Sequence, residues 1–244
     1  MKKRAIILWG GWAGHEPLQV ANRFGGWLSE NNFEVDITGD IAEAFGSKEK
    51  LLEYDLICPC CTYGPDRAPE NMKEQYILNV VEAVDEGVGL AGCHGGMCDA
   101  FRESVIWQFL TGASWVAHPG VKYYHGADEE YRPVGWNIIP YEVNVRTASS
   151  SELVRGIPNF KVNSEQYYLH VDPAVEVLAT TTFPNPNAKD GPYKSMGQVV
   201  MPVVFTKVWG KGRIYYNSLG HTNDVFDIPE AAELMKRGLL WAAR

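Results

Sequence analysis

The stretch Val88-Gly89-Leu90-Ala91-Gly92-Cys93-His94-Gly95-Gly96 constrains this chain more than any other. A short apolar run, Val88 to Ala91, ends in a glycine-bracketed turn, and an amphipathic segment from Asp99 to Leu110 follows. That order predicts a strand, a sharp turn and a helix. In a nucleophile elbow the central residue is forced out at the top of the sheet, and its neighbours must be small because the turn is tight. The pattern Gly-x-centre-x-Gly puts His94 at the centre, between Gly92 and Gly96. A glycine-rich β–α connection that only makes room has the same spacing, so spacing alone leaves both readings open.

The residues before the elbow repeat its rhythm. Ala5–Trp9 reads as a strand, followed by the turn Gly10-Gly11-Trp12-Ala13-Gly14-His15 and a helix over Pro17–Asn31. Strands are expected at Phe33–Ile37 and Leu56–Cys58, the latter ending in a turn from Cys58 to Tyr63; a helix over Pro69–Asp85 then leads into the elbow strand. Alternating helices and apolar strands predict an α/β chain: a parallel sheet with helices on both faces. Ligands of such sheets sit beyond the carboxyl ends of the strands. His15, the Cys58–Tyr63 turn and His94 therefore belong on one rim.

The second half is richer in strands. Val121–Ala148 is aromatic and β-rich, Asn163–Thr180, Val199–Val208 and Gly212–Asn217 read as strands, and Pro229–Ala242 reads as a closing helix. Leu219-Gly220-His221-Thr222 is a second glycine–histidine turn after a strand. With no repeat, low-complexity tract or evident linker, residues 1–244 read as one domain with β-rich insertions in its second half.

Charge and cysteine usage narrow the function classes. A net charge of −8 argues against nucleic acid or an anionic membrane as partner, since both need clustered Lys and Arg. No apolar stretch reaches transmembrane length, and the run after Met1-Lys2-Lys3-Arg4 is too short for a signal peptide. Five cysteines, an odd number, all lie in the first half, which favours reduced thiols and a cytoplasmic setting. Cys58-Pro59-Cys60-Cys61 lacks the paired Cys-x-x-Cys of structural zinc. Gly10-Gly11-x-x-Gly14 imitates a dinucleotide fingerprint, but Trp9 stands where the first glycine belongs, so that cofactor is rejected.

Four histidines, His15, His94, His118 and His221, follow expected strands or sit beside Gly or Pro, the usual setting of site loops. Histidine can shuttle protons near neutral pH, hydrogen-bond sugar hydroxyls or bind metal. Glu165 and Asp99 could supply carboxylates, and Trp9, Trp12, Tyr63, Tyr167 and Tyr168 flat faces for a sugar ring. His125 and His170 read as core residues. No His-x-His or His-x-x-x-His spacing points to a metal, so no metal or cofactor is assigned.

These motifs together resemble the ThuA-like (trehalose-utilisation) family. The elbow with Phe101, His118-Pro119, Glu165 before Tyr167-Tyr168, Gly210-Lys211-Gly212-Arg213 running into Leu219-Gly220-His221, and Trp241 match in order and spacing over nearly the whole chain. The resemblance implies a flavodoxin-like, class I glutamine-amidotransferase-like fold and a link to trehalose or related sugars, through keto-sugar intermediates. In amidotransferases the elbow centre is a cysteine. Here it is His94, and Cys93 sits one place early, where a side chain points elsewhere. Glutamine hydrolysis is therefore not expected.

The resulting expectation is a protein acting on or binding a small sugar, with catalytic His94, His118 and Glu165 and with His15, Trp12, Tyr63, Asp99, Tyr167 and His221 binding substrate. A non-catalytic binding module on the same scaffold and a metal-dependent hydrolase stay open, as do monomer and homo-oligomer. As an elbow residue outside the packed core, His94 is expected to add no more than about 1 kcal/mol to stability.

Overall fold

The computed structural model describes residues 2–64, 67–118, 138–187 and 197–244. Its first half runs β1 (Lys3–Gly11), α1 (Pro17–Glu30), β2 (Phe33–Thr38), α2 (Ile41–Phe45), α3 (Lys48–Leu51), β3 (Leu56–Thr62), α4 (Glu74–Asp85), β4 (Gly89–Cys93), α5 (Gly95–Cys98) and α6 (Val105–Thr111). The second half adds β5 (Ala113–Ala117), β6 (Ile138–Val145), β7 (Phe160–Glu165), β8 (Tyr168–Val171), β9 (Glu176–Phe183), β10 (Val199–Trp209), β11 (Gly212–Asn217) and α7 (Pro229–Ala242). Among the described residues no helix is long and apolar enough to cross a membrane.

Nine strands form one sheet in the order β2-β1-β3-β4-β11-β10-β9-β6-β7. The first five are parallel, and the last four continue the sheet antiparallel. The class is α/β, as expected. The central strands β3 and β4 are buried at every position because both faces are covered, whereas β6 and β7 alternate buried and exposed residues. Along β1, Ala5 and Ile7 pack with Val20, Phe24 and Leu28 of α1 and Leu234 and Leu239 of α7, while Ile6 and Leu8 pack with Phe45, Val80 and Val84 on the other face. Proline at the first turn of α1 and of α7 starts each helix where its missing N–H costs nothing.

From β1 the chain moves out to β2 on one side and to β3 and β4 on the other. Loops leaving the carboxyl ends of β1 and β3 thus diverge, which opens the crevice where ligands of α/β sheets bind.

Two expected boundaries change. Cys58–Thr62 is strand and not turn: β3 pairs with β1 from Leu56↔Ala5 to Thr62↔Gly11. Its other edge pairs with β4 only at Leu56 and Ile57, so Pro59, which has no N–H to give, is tolerated inside the sheet. The helix expected over Asp99–Leu110 is split. α5 ends before Asp99, and α6 starts at Val105, capped by Ser104, whose hydroxyl accepts from the Trp107 N–H. Trp107 Nε1 donates to the Met97 carbonyl at 2.7 Å, folding α6 back on α5.

Candidate active site

Three imidazoles close on one carboxylate at the carboxyl rim of the parallel strands. β4 delivers His94, whose backbone (φ 51, ψ −138) is a conformation that non-glycine residues rarely adopt. Such a conformation costs about 1–3 kcal/mol and persists only where its surroundings impose it. Here the His94 N–H donates to the Asn217 carbonyl at 2.7 Å, and the Tyr216 hydroxyl donates to the His94 carbonyl at 3.2 Å. Both partners lie on β11, the parallel neighbour of β4. The ring is held equally firmly. Nδ1–H donates to the Ser218 carbonyl at 2.9 Å, Tyr167 stacks on its face at 4.0 Å, and Nε2 lies 3.1 Å from Glu165 Oε2.

Glu165 arrives from the far end of the sheet order. β6 touches β9 only at Asn144↔Thr180 and Val145↔Ala179, so the β6–β7 hairpin is free at its other end to fold over the rim. The Tyr141 hydroxyl donates to the Glu165 carbonyl at 2.9 Å and fixes that end. His221 follows Gly220, whose φ of 101° turns the chain sharply after β11. Its Nδ1 lies 3.1 Å from the same Oε2, while His118 Nε2 lies 3.5 Å from Oε1.

His15 completes the group from the loop after β1. Its ring meets His94 edge-on at 4.7 Å and His221 at 5.2 Å, and its Nδ1 is hydrogen-bonded to Thr62 Oγ1 at 2.9 Å. Gly95 makes this possible, because a Cβ there would stand 2.7 Å from His15 Cε1. Trp12 packs its ring 4.6 Å from His15 and 5.8 Å from His221, and remains 37% exposed.

Electrostatics follow from this crowding. Burial pushes the His15 imidazolium down to about 2, helped by the neighbouring His94. It also lowers His94, against the pull of Glu165. Burial would raise Glu165, but the close nitrogens of His221 and His94 more than offset it and hold the carboxyl below its ordinary range. Folding stability is therefore expected to fall as pH drops below about 6.5, the ordinary histidine value. Unfolded His15 then takes up a proton that the folded ring refuses, and the state binding more protons gains as pH falls. Glu165 acts in the same sense below about pH 4.3, where the unfolded carboxylate protonates first. A melting temperature that stays flat or rises from about pH 8 to about pH 5 would refute a neutral folded His15.

The other expected site residues separate. Tyr167 belongs to the cluster. Tyr63 lies away from it, against Phe101, and lines a cavity of about 750 Å³ that no cluster histidine borders. Asp99 is bound by both oxygens to Arg102, whose guanidinium stacks on Trp115 beside His118 and Tyr167, so it supports the cluster from one shell out. Tyr168 packs on Phe183. Contrary to expectation His170 is exposed, because β8 is paired only with β5 and turns that side chain outward. His125 lies outside the described residues.

Thr62, Ser218 and Asn217 were not anticipated. Their only signal was position, as polar residues ending apolar strands. Behind His15 and His94, toward Cys60 and Cys93, the cavity holds about 10 Å³, room for no more than a water.

All five cysteines are free and buried. Burial pushes the Cys93 thiol well above its ordinary value, which makes it a poor nucleophile. Cys93→Ser is expected to leave ligand turnover within about tenfold while lowering stability by about 1–2 kcal/mol, since a hydroxyl replaces a buried thiol. A larger drop in turnover would restore an amidotransferase-like role.

The family model for ThuA, described as trehalose utilisation, matches residues 4–242. The chain belongs to the ThuA family. Membership places the protein in sugar metabolism in general. A ThuA-like protein from Bacteroides uniformis is 18% identical with a TM-score of 0.67, covering 98% of this chain and 91% of that one. Another, from Parabacteroides merdae, is 20% identical with a TM-score of 0.67 and covers 99% and 90%. A β-galactosidase from Bacillus circulans shares the fold at 14% identity and a TM-score of 0.56, over 99% of this chain and 30% of its own. At these identities the likeness is one of fold. No curated protein matches the sequence.

Proposed function

We propose that this protein binds a small sugar or keto-sugar related to trehalose at the rim and moves a proton on the carbon next to its carbonyl. The observation that carries the reading is the convergence of His94, His118 and His221 on the buried Glu165 carboxylate. Proton transfer by positioned carboxylate and imidazole groups contributes about 10²–10⁴-fold to rate. Glu165 and His118 take and return the proton, and the buried His94 packs against Glu165 at 3.1 Å. Trp12, half exposed beside His15 and His221, offers the face on which a sugar ring stacks.

A single domain is supported by the sheet's use of strands from both halves. The five free thiols support a reducing, cytoplasmic setting. The test is incubation with trehalose and with 3-keto-disaccharides in D₂O, followed by NMR. Deuterium entering next to the keto group, or a new sugar product, is expected. Affinity with neither exchange nor product would make the chain a binding module on an amidotransferase scaffold.

A further inference from the structure

The protein partners of His94 leave its ring incompletely satisfied. Nδ1 faces the Ser218 carbonyl at 2.9 Å and Nε2 faces Glu165 Oε2 at 3.1 Å. A carbonyl and an ionised carboxylate only accept, and a neutral imidazole has one N–H to give. With that hydrogen on Ser218, a lone pair of Nε2 points at a lone pair of Oε2. His221 repeats the pattern: its Nδ1 is buried, 3.1 Å from the same oxygen, and forms no hydrogen bond among the described residues. A cation between these atoms would satisfy both nitrogens and the carboxylate oxygen.

We propose that His15, His94, His221 and Glu165 bind a divalent first-row transition ion of the zinc or cobalt kind. Each turns one ligand atom inward, and the four atoms lie within 4.8 Å of one another. Around zinc, with bonds of about 2.1 Å, tetrahedral ligand atoms stand about 3.4 Å apart. The two 3.1 Å contacts fit as they are, and the widest closes by roughly 1.4 Å on side-chain rotation. Three imidazoles and one carboxylate suit borderline ions and not calcium or magnesium, which want oxygen. Metal-bound histidines usually carry an outer hydrogen bond that fixes the ring. His94 has one to Ser218 and His15 one to Thr62.

The four ligands come from the ends of β1, β4, β7 and β11, which is why no local spacing in the sequence announces them. His118 approaches the other carboxylate oxygen and stays outside the set. Binding stands on this geometry alone; only the ion's role rests on the sugar reading. It would polarise a keto-sugar carbonyl from the Oε2 side and leave Glu165 Oε1 and His118 to move the proton.

The experiment strips the full chain with a chelator and titrates it with Zn²⁺, Mn²⁺ and Co²⁺ by calorimetry, recording the visible spectrum of the cobalt form. One ion per chain is expected at about micromolar affinity or tighter, with cobalt bands of imidazole ligation. His221→Ala, at the partly exposed edge, should weaken binding by about a hundredfold or more, and His170→Ala on β8 should not change it. No stoichiometric binding to the folded wild-type chain, or equal binding by His221→Ala, overturns the proposal. Keto-sugar turnover that survives stripping, with no ion bound, overturns the ion's part in the chemistry and spares the sugar reading. Tight metal binding without keto-sugar chemistry does the reverse.

Discussion

Glu165→Gln is expected to lower keto-sugar turnover by about a thousandfold, within the range that a positioned acid–base group supplies. Every imidazole of the cluster except His15 has a nitrogen within 3.5 Å of this carboxylate, so its charge organises the site. Glutamine keeps the shape and removes the charge. Its amide can donate to the His94 Nε2 lone pair, so the contact with His94 is kept and the fold with it. Stability should therefore change by no more than about 1 kcal/mol at neutral pH. Turnover and melting temperature measured on the same preparation separate these effects. A glutamine variant that turns over normally would remove Glu165 from the reaction, and one that fails to fold would make the carboxylate structural.

His94→Ala is expected to cost about 3 kcal/mol of stability, reversing the small effect expected from its place in an elbow. The ring is 1% exposed, stacked on Tyr167, hydrogen-bonded to Ser218 and 3.1 Å from Glu165. Its removal leaves a cavity and a buried carboxylate short of a partner, two of the mechanisms behind large losses. Alanine also keeps the strained backbone, whereas glycine at that φ is relaxed. His94→Gly should thus match or exceed His94→Ala by about 1 kcal/mol although it removes more side chain. Urea denaturation of both variants measures the difference. A loss below about 1 kcal/mol for His94→Ala would show that the ring is not part of the core.

The α/β class and the placing of His15, His94 and His221 on one rim were legible because they depend on local patterns. Apolar runs, glycine turns and amphipathic helices repeat along the chain, and a parallel sheet has only one carboxyl edge. The continuation of β3 to Thr62 was not legible, since residues after an apolar run become strand only if a neighbour pairs with them, and β1 does so. Nor was the division between Tyr167, inside the cluster, and Tyr63 and Asp99, outside it. All three are polar-tipped residues near strand ends, and their directions depend on how β7 and α5 pack. The meeting of Glu165 with the histidines is the clearest case. Sequence alone marked it as a candidate carboxylate, but it joins His94 only because the β6–β7 hairpin leaves the sheet edge and folds over the rim. Local propensity determined which elements form and which residues end them. Long-range pairing decided which of those ends share a site, because contacts 71 residues apart leave no period in the sequence.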